Sequence, residues 1–312
     1  MPESSPDRPS LSEATEIFER QRPRLLGLAY RMLGMRGEAE DVVQEAWLRW
    51  HRSEGVTDPA RWLMTVTSRL ALDQLKSARH RREHYVGPWL PEPLPEAMAD
   101  QVGPITGRID GALRSAGADP AVLADSLSIA LLQVLEKLTP AERMAFLLRE
   151  VFDYDYTELA EIVGKSQAAC RQLVSRARRH LADEGAARFR PDKGRQEELM
   201  RRFAAAANDG DLTPLVEWLD DDVVLYTDGG GKVLSALKPI YGRDKVARFF
   251  AGVWPKRPAG TELVPRRLNG EPALLAVAGG QPVQTMHFQL DPRGRLTAIY
   301  IVRNPDKLTG LS

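Results

Sequence analysis

The 312 residues suffice for two or three compact units, and 43% hydrophobic with 28% charged side chains is the balance of a folded protein rather than a disordered chain. Forty-three basic residues against 43 acidic ones leave no net charge, and the balance holds nearly as well on either side of Arg190. A polycation that grips nucleic acid over its whole surface is excluded, so any DNA contact must be concentrated on short elements or shared with a larger partner. The single cysteine, Cys170, can form neither an internal disulfide nor a multi-thiolate zinc site. With a polar, Pro-rich start and no apolar run of membrane-helix length, the expected location is cytoplasmic.

In chain order, Ser10 and Glu13 form a capping box, and Ile17, Leu25, Leu28, Ala29, Met32 and Leu33 recur at helical spacing up to Gly34. A second helix is predicted over residues 38–52, its apolar stripe formed by Ala39, Val42, Val43, Ala46, Trp47 and Trp50. Asp58 caps a third helix that opens on Pro59 and runs to about His84. Residues 1–85 thus form a first all-helical domain. Residues 86–125 are rich in Pro and Gly and read as a linker between domains.

Helical periodicity resumes at Leu127, and Thr139, Pro140 and Glu142 supply a cap, a first-position proline and a returning carboxylate. The following YTELAEIVGKSQAACRQLVSRARRHL carries small Ala160, Gly164 at a turn and Ser166 as the next cap, the pattern of a helix-turn-helix. On its second helix Cys170, Leu173, Val174 and Ala177 face inward, which makes Cys170 a core residue rather than a redox sensor. Arg171, Gln172, Ser175, Arg176 and Arg179 face outward. Arginine pairs with two acceptors on guanine and glutamine with two groups on adenine, so this face suits reading of the major groove. Residues 126–187 make this second all-helical domain.

From residue 195 onward a helix leads into period-two alternation. Strands are predicted over residues 223–227, 233–237, 263–268, 274–277, 283–290 and 296–302, the last two joined by the hairpin signal DPRGR, with a further helix over 245–253. Residues 195–312 are therefore an α+β domain with helices on one side of a sheet.

Two further elements carry chemistry weakly on their own. The second helix gathers Glu38, Asp41 and Glu45 on one face beside Gln44 and Leu48, an arrangement nothing intrinsic to the helix favours and a basic partner would. The third helix begins with Arg61 and Trp62, carries Arg69, and ends in Lys76, Arg79, Arg81 and Arg82, suited to phosphates and to an unstacked base.

In their order along the chain, AEDVVQEAW, RWLMTVTSRLALD, the linker and the LTPAER entry to a terminal helix-turn-helix resemble the extracytoplasmic-function class of sigma factors over residues 10–187. YVGPWLPEPL, DGGGK and NPDKL resemble the subgroup with a SnoaL-like C-terminal extension, whose NTF2-like fold wraps a curved sheet around a conical cavity. The resemblance implies a promoter-specific initiation factor, not an enzyme and without cofactor or metal. Its partners would be promoter DNA and core RNA polymerase, through the β′ clamp helices and the β subunit.

It implies that Asp41, Gln44, Glu45 and Leu48 dock on the clamp helices, that Arg61, Trp62 and Arg69 capture a flipped minus-ten base, and that Arg171, Gln172, Ser175, Arg176 and Arg179 read the minus-thirty-five element. It further implies that the extension packs on the sigma domains through Asp228, Gly229, Gly230, Gly231 and Lys232 and through Asn304, Pro305, Asp306, Lys307 and Leu308. DGGGK lacks the Ser/Thr and spacing of a phosphate-binding P-loop. The alternatives are an isomerase-like or cyclase-like enzyme using His287, Asp228, Tyr226, Tyr241 or Tyr300, a ligand-sensing domain, or a free-standing operator-binding repressor.

Overall fold

The computed structural model describes residues 10–102, 127–183, 193–210 and 213–311. They fall into two compact units: one takes residues 10–80, 101–102 and 138–180, the other residues 81–100, 127–137 and 181–311 as far as described.

In the first unit, α1 (Leu11–Leu33) opens on the Ser10–Glu13 capping box and stops at Gly34, whose φ of 68° places it in the left-handed region. α2 (Arg36–Arg52) buries Ala39, Val42, Val43, Ala46 and Trp50. α3 spans Pro59–Glu83, with the Asp58 carboxylate accepting from the Arg61 amide at 3.0 Å. α4 (Glu96–Val102, all but its last two residues) and α5 (Ile129–Leu135) belong to the second unit, and the first resumes with α6 (Pro140–Phe146), which begins with the Thr139–Glu142 capping box and runs into a π-helical turn over Leu147–Val151.

The helix-turn-helix follows as α7 (Tyr156–Val163) and α8 (Gln167–Asp183), with Gly164 at φ 68° between them. Asp155 caps α7 through the amides of Thr157 and Glu158, and Ser166 caps α8 through that of Ala169. Cys170, Leu173, Val174 and Ala177 are buried, so the face that periodicity assigned to the core is the face that packs.

The second unit holds α9 (Lys193–Asn208), α10 (Thr213–Trp218), α11 (Arg243–Val253) and six strands: β1 (Leu219–Asp228), β2 (Ile240–Tyr241), β3 (Glu262–Leu268), β4 (Glu271–Ala278), β5 (Gln281–Leu290) and β6 (Leu296–Val302). They form one sheet of order β2-β1-β6-β5-β4-β3, parallel between β1 and β6 and antiparallel elsewhere. Two helical parts and an α+β domain are thus the architecture the sequence led us to expect.

One sheet face packs on α9 and α11 through an apolar cluster including Phe203, Phe250, Trp254, Met286, Phe288 and Ile299. A strand expected over 233–237 is absent: β1 is paired on that side by β2 instead, Thr227 Oγ1 takes the Ala236 amide at 2.8 Å, and Leu234 and Leu237 are left exposed.

The segment read as linker also differs from expectation. Residues 90–94 are buried in the second unit, and Asn269 at the β3–β4 turn fixes both ends of the covering chain. Its Oδ1 accepts from the Leu94 amide and its Nδ2 donates to the Leu127 carbonyl, each at 3.0 Å. Pro and Gly prevent a long helix or strand there without preventing burial, because the backbone finds its partners in the sheet domain. Residues 103–125 of the expected linker and residues 126 and 184–187 of the expected second domain lie outside the described residues.

Candidate functional site

Four groups of residues carry the candidate chemistry. On α2, Asp41, Gln44 and Leu48 are exposed, and Glu45 is half-buried with its carboxylate accepting from Arg49 Nε at 2.8 Å. The buried stripe lies opposite, so the acidic face owes nothing to core packing.

At the start of α3, Trp62 packs its half-buried ring against Trp50, centroids 5.8 Å apart, and so belongs partly to the bundle. Arg61 Nη2 donates to Glu161 Oε2 at 2.8 Å and Nη1 lies 3.9 Å from Glu158. Arg69 donates to the carbonyls of Glu161 at 2.8 Å and Ile162 at 3.4 Å. Both arginines are therefore engaged by α7.

On α8, Arg171, Gln172, Ser175 and Arg179 point outward. Arg171 lies 5.0 Å from the Tyr156 ring centroid. Arg176 is also exposed, yet its Nε donates at 2.8 Å to Glu142, a buried carboxylate that also closes the Thr139 capping box. Burial raises the Glu142 pKa, but the bonds from Arg176 and Thr139 outweigh it and hold the carboxyl below its ordinary value. Arg176 is thus anchored to α6, which distinguishes it from the other outward side chains.

In the second unit the two motifs converge on residues 85–90, where sequence reasoning named no site residue. Asp228 and Lys307 are fully buried and paired at 2.7 Å. Asp228 Oδ2 also accepts from the Leu90 amide at 2.8 Å, while Lys307 Nζ donates to the Leu90 carbonyl at 2.5 Å. The pair therefore captures both main-chain groups of one residue.

Asp228 Oδ1 takes the Tyr85 hydroxyl at 2.6 Å and the Gly230 amide at 3.0 Å, and Asn304 Nδ2 donates to the same hydroxyl at 2.8 Å. Burial and then the Asp228 charge push the Tyr85 pKa well up, so the phenol stays a donor. Burial pulls Lys307 down while Asp228 opposes it, and the ammonium also sits 4.3 Å from the Trp89 ring centroid.

Two of the three glycines answer to this convergence. A Cβ on Gly230 would come within 2.4 Å of the Asn304 amide nitrogen, and one on Gly231 within 3.1 Å of Val86. Their φ values of 59° and 71° are equally costly for other residues. Lys232 and Asp306 pair at 2.5 Å on the exposed rim, Asn304 caps the short turn that Pro305 begins, and Leu308 is buried. A sequence signal did exist for the approach, since three consecutive glycines mark close contact, but nothing named what approached.

The residues put forward for catalysis do not converge in the apolar cluster. Tyr226 and Tyr300 stack at 5.3 Å on the opposite face, beside a cavity of about 170 Å³ also lined by Gln133 of α5 and by Lys137 just after it. Tyr241 is exposed on β2 and Asp228 is committed to Lys307.

His287 is 5% exposed, bonded to Thr285 Oγ1 at 3.2 Å, and burial pushes its pKa down to about 3. The folded state therefore holds it neutral, and its contribution to stability is complete above the unfolded pKa near 6.5 and lost as pH falls below that value toward 3. Between pH 8 and pH 5.5 the second unit is expected to lose about 1.4 kcal/mol through this group. Urea titrations of the native chain and of His287→Leu at both pH values measure it, and the slope should vanish in the variant.

Among the described residues no group of three or more His, Cys, Asp or Glu could hold a metal ion, and no helix is long and apolar enough to cross a membrane.

Comparison with known proteins gives these sites a common context. Residues 17–81 match the family model "Sigma-70 region 2" and residues 128–181 match "Sigma-70, region 4". The chain is 38% identical over 306 residues to the ECF RNA polymerase sigma factor SigJ of Mycobacterium tuberculosis, covering 94% of this chain and 92% of that protein. It belongs to the extracytoplasmic-function sigma factors.

A probable sigma factor SigI of the same organism is 35% identical, with 93% of each chain covered. The crystal structure of M. tuberculosis SigJ superposes with a TM-score of 0.70 at 35% identity, covering 95% of this chain and 98% of that one, so the likeness includes the C-terminal α+β domain. This sigma factor directs RNA polymerase to promoters, and α2, α3 and the helix-turn-helix lie in the matched regions.

Proposed function

We propose that this sigma factor is controlled by its own C-terminal domain, which holds the chain between regions 2 and 4 on the outer face of its sheet. The observation that carries the reading is the buried Asp228–Lys307 pair and its capture of Leu90. Residues 85–94 and helix α5 cover the sheet face opposite the apolar cluster, and α5 lies within the region 4 match. The extension therefore sets how freely region 4 can take up a new position. The same commitments of Asp228 and burial of His287 support a non-catalytic extension.

In the sigma regions, the exposed Asp41, Gln44 and Leu48 with Glu45 form the surface for the β′ clamp helices, with further contacts on the β subunit. Arg61, Trp62 and Arg69 hold the melted minus-ten strand. Arg171, Gln172, Ser175 and Arg179 read minus-thirty-five bases, while Arg176 orients α8 through Glu142 and reaches DNA with its remaining guanidinium nitrogens. Core polymerase supplies most phosphate contacts, which accounts for the absence of net charge.

The test is transcription in vitro with bacterial core polymerase on promoters selected from a random library, comparing the full chain with one ending at Arg190. Core-dependent initiation by the full chain is expected. The truncated chain should differ in level because Leu90 and Leu94, 0% and 1% exposed, lose the surface that buries them. Equal activity would sink the regulatory reading, and specific DNA binding without initiation would favour an operator-binding protein.

A further inference from the structure

Three consecutive aspartates stand near the start of β1, and aspartate is a poor strand former, so Asp220, Asp221 and Asp222 call for a reason to be there. The middle one is taken by Arg243 at 3.0 Å. Asp220 and Asp222, on either side of it, line the cavity of about 170 Å³ on the outer face of the sheet. Asp220 Oδ1 accepts from the Asp222 amide at 3.1 Å, and neither carboxylate forms an ion pair among the described residues.

The floor of this cavity follows from the register of two parallel strands. β1 and β6 set Val224 beside Ala298 and Tyr226 beside Tyr300, so two short side chains adjoin an aromatic pair whose rings lie within 8° of parallel. From α5 comes Gln133, and from just beyond its end Lys137. Gln133 Oε1 is buried and has no hydrogen-bond partner among the described residues. A buried amide oxygen left in that condition is costly, and a bound N–H donor removes the cost.

We infer that the cavity between α5 and the outer sheet face binds a small zwitterion of free amino-acid type. Its ammonium meets Asp220, Asp222 and the Gln133 oxygen, its carboxylate meets Lys137, and its carbon body lies on Val224, Ala298 and the tyrosine pair. The volume equals that of about six waters at roughly 30 Å³ each. Drug-sized pockets begin near 300 Å³, so the ligand is small. Because Gln133 belongs to α5 and the two carboxylates to β1, the complete site exists only while α5 is docked on the sheet, and the ligand favours that form. α5 lies within the region 4 match, so, on the reading that the extension restrains region 4, an occupied site lowers transcription.

The test follows thermal unfolding of the full-length chain with glycine, β-alanine, L-serine and L-glutamine at millimolar concentrations. At least one should raise the midpoint of the second unit by about 5 °C when present at about a hundredfold excess over its Kd. Glycine betaine, whose nitrogen carries no hydrogen, should not; an equal shift with betaine would reveal a general solute effect and overturn the site. Asp222→Asn should weaken binding about tenfold. Gln133→Met should abolish the shift while leaving the ligand-free protein at least as stable, since it removes an unpaired acceptor. No shift with any of the four amino acids overturns the inference, as does a shift that survives both substitutions. Transcription with core polymerase then separates the two levels. Binding that lowers initiation supports the site and the restraint together, whereas binding with initiation unchanged keeps the site and removes the restraint.

Discussion

Replacing Lys307 with Met is expected to cost the second unit about 3–5 kcal/mol, because it leaves the Asp228 carboxylate buried without its counter-charge. No other basic side chain is bonded to that carboxylate among the described contacts, and Asp228 is 0% exposed. The Leu90 amide should lose its protection from hydrogen exchange at the same time, since the variant removes the donor to its carbonyl and weakens the acceptor of its N–H.

Combining Lys307→Met with Asp228→Asn should recover much of the loss, as removing both charges removes the desolvation that the pair must offset. Urea unfolding followed with hydrogen exchange on the three variants measures both effects. In transcription the single variant is the more informative. It frees residues 85–90 while leaving the sheet domain attached, so a rise in activity identifies the extension as a restraint. A loss of stability with activity unchanged would leave the pair a structural tie without regulatory meaning.

Reversing Asp41 and Glu45 together to Arg is expected to abolish holoenzyme formation with the fold intact. Neither side chain belongs to the buried stripe of α2, and the one contact broken, Glu45 with Arg49, is an exposed helical pair worth about 0.3–0.5 kcal/mol. Against that small cost stands the conversion of an attractive face to a repulsive one before a basic partner, where like charges cost several kcal/mol. Co-purification with core polymerase and a thermal melt of the free variant separate the two. Full recovery of holoenzyme would remove α2 from the docking surface.

Much of the architecture was legible because its signals are local. The capping boxes at Ser10–Glu13 and Thr139–Glu142, the stop at Gly34 and the inward stripe of α8 each depend on residues within two turns of one another. The DPRGR hairpin joining β5 to β6, with Gly294 at positive φ, was equally local. β1 extends further than its alternation suggested because Asp220, Asp221 and Asp222 interrupt the apolar pattern without interrupting the strand, where the register shifts between Leu219 and Val224.

The site network was not legible, for a physical reason. Its bonds join Asp228 to Tyr85, Leu90 and Lys307, positions 143, 138 and 79 residues away, and such pairings leave no periodicity behind. Arg176 illustrates the same limit on a smaller scale. A helical wheel places it outward, yet a long flexible side chain reaches back to Glu142.

The position of α5 bears on how this kind of protein can diversify. The family model for region 4 begins at residue 128, but residues 127–137 belong to the compact unit of the sheet, where the Leu127 carbonyl is held by Asn269 and α5 borders Tyr226 and Tyr300. An exchange of region 4 between two such genes at the family boundary would bring in a leading helix unmatched to the sheet beneath it. The seam at which recombination preserves both partners lies about ten residues later, just before the Thr139 cap. Region 4 and the extension are therefore expected to travel through evolution as a linked pair, with substitutions in α5 answered by substitutions in β5 and its neighbours β1 and β6 rather than in the helix-turn-helix.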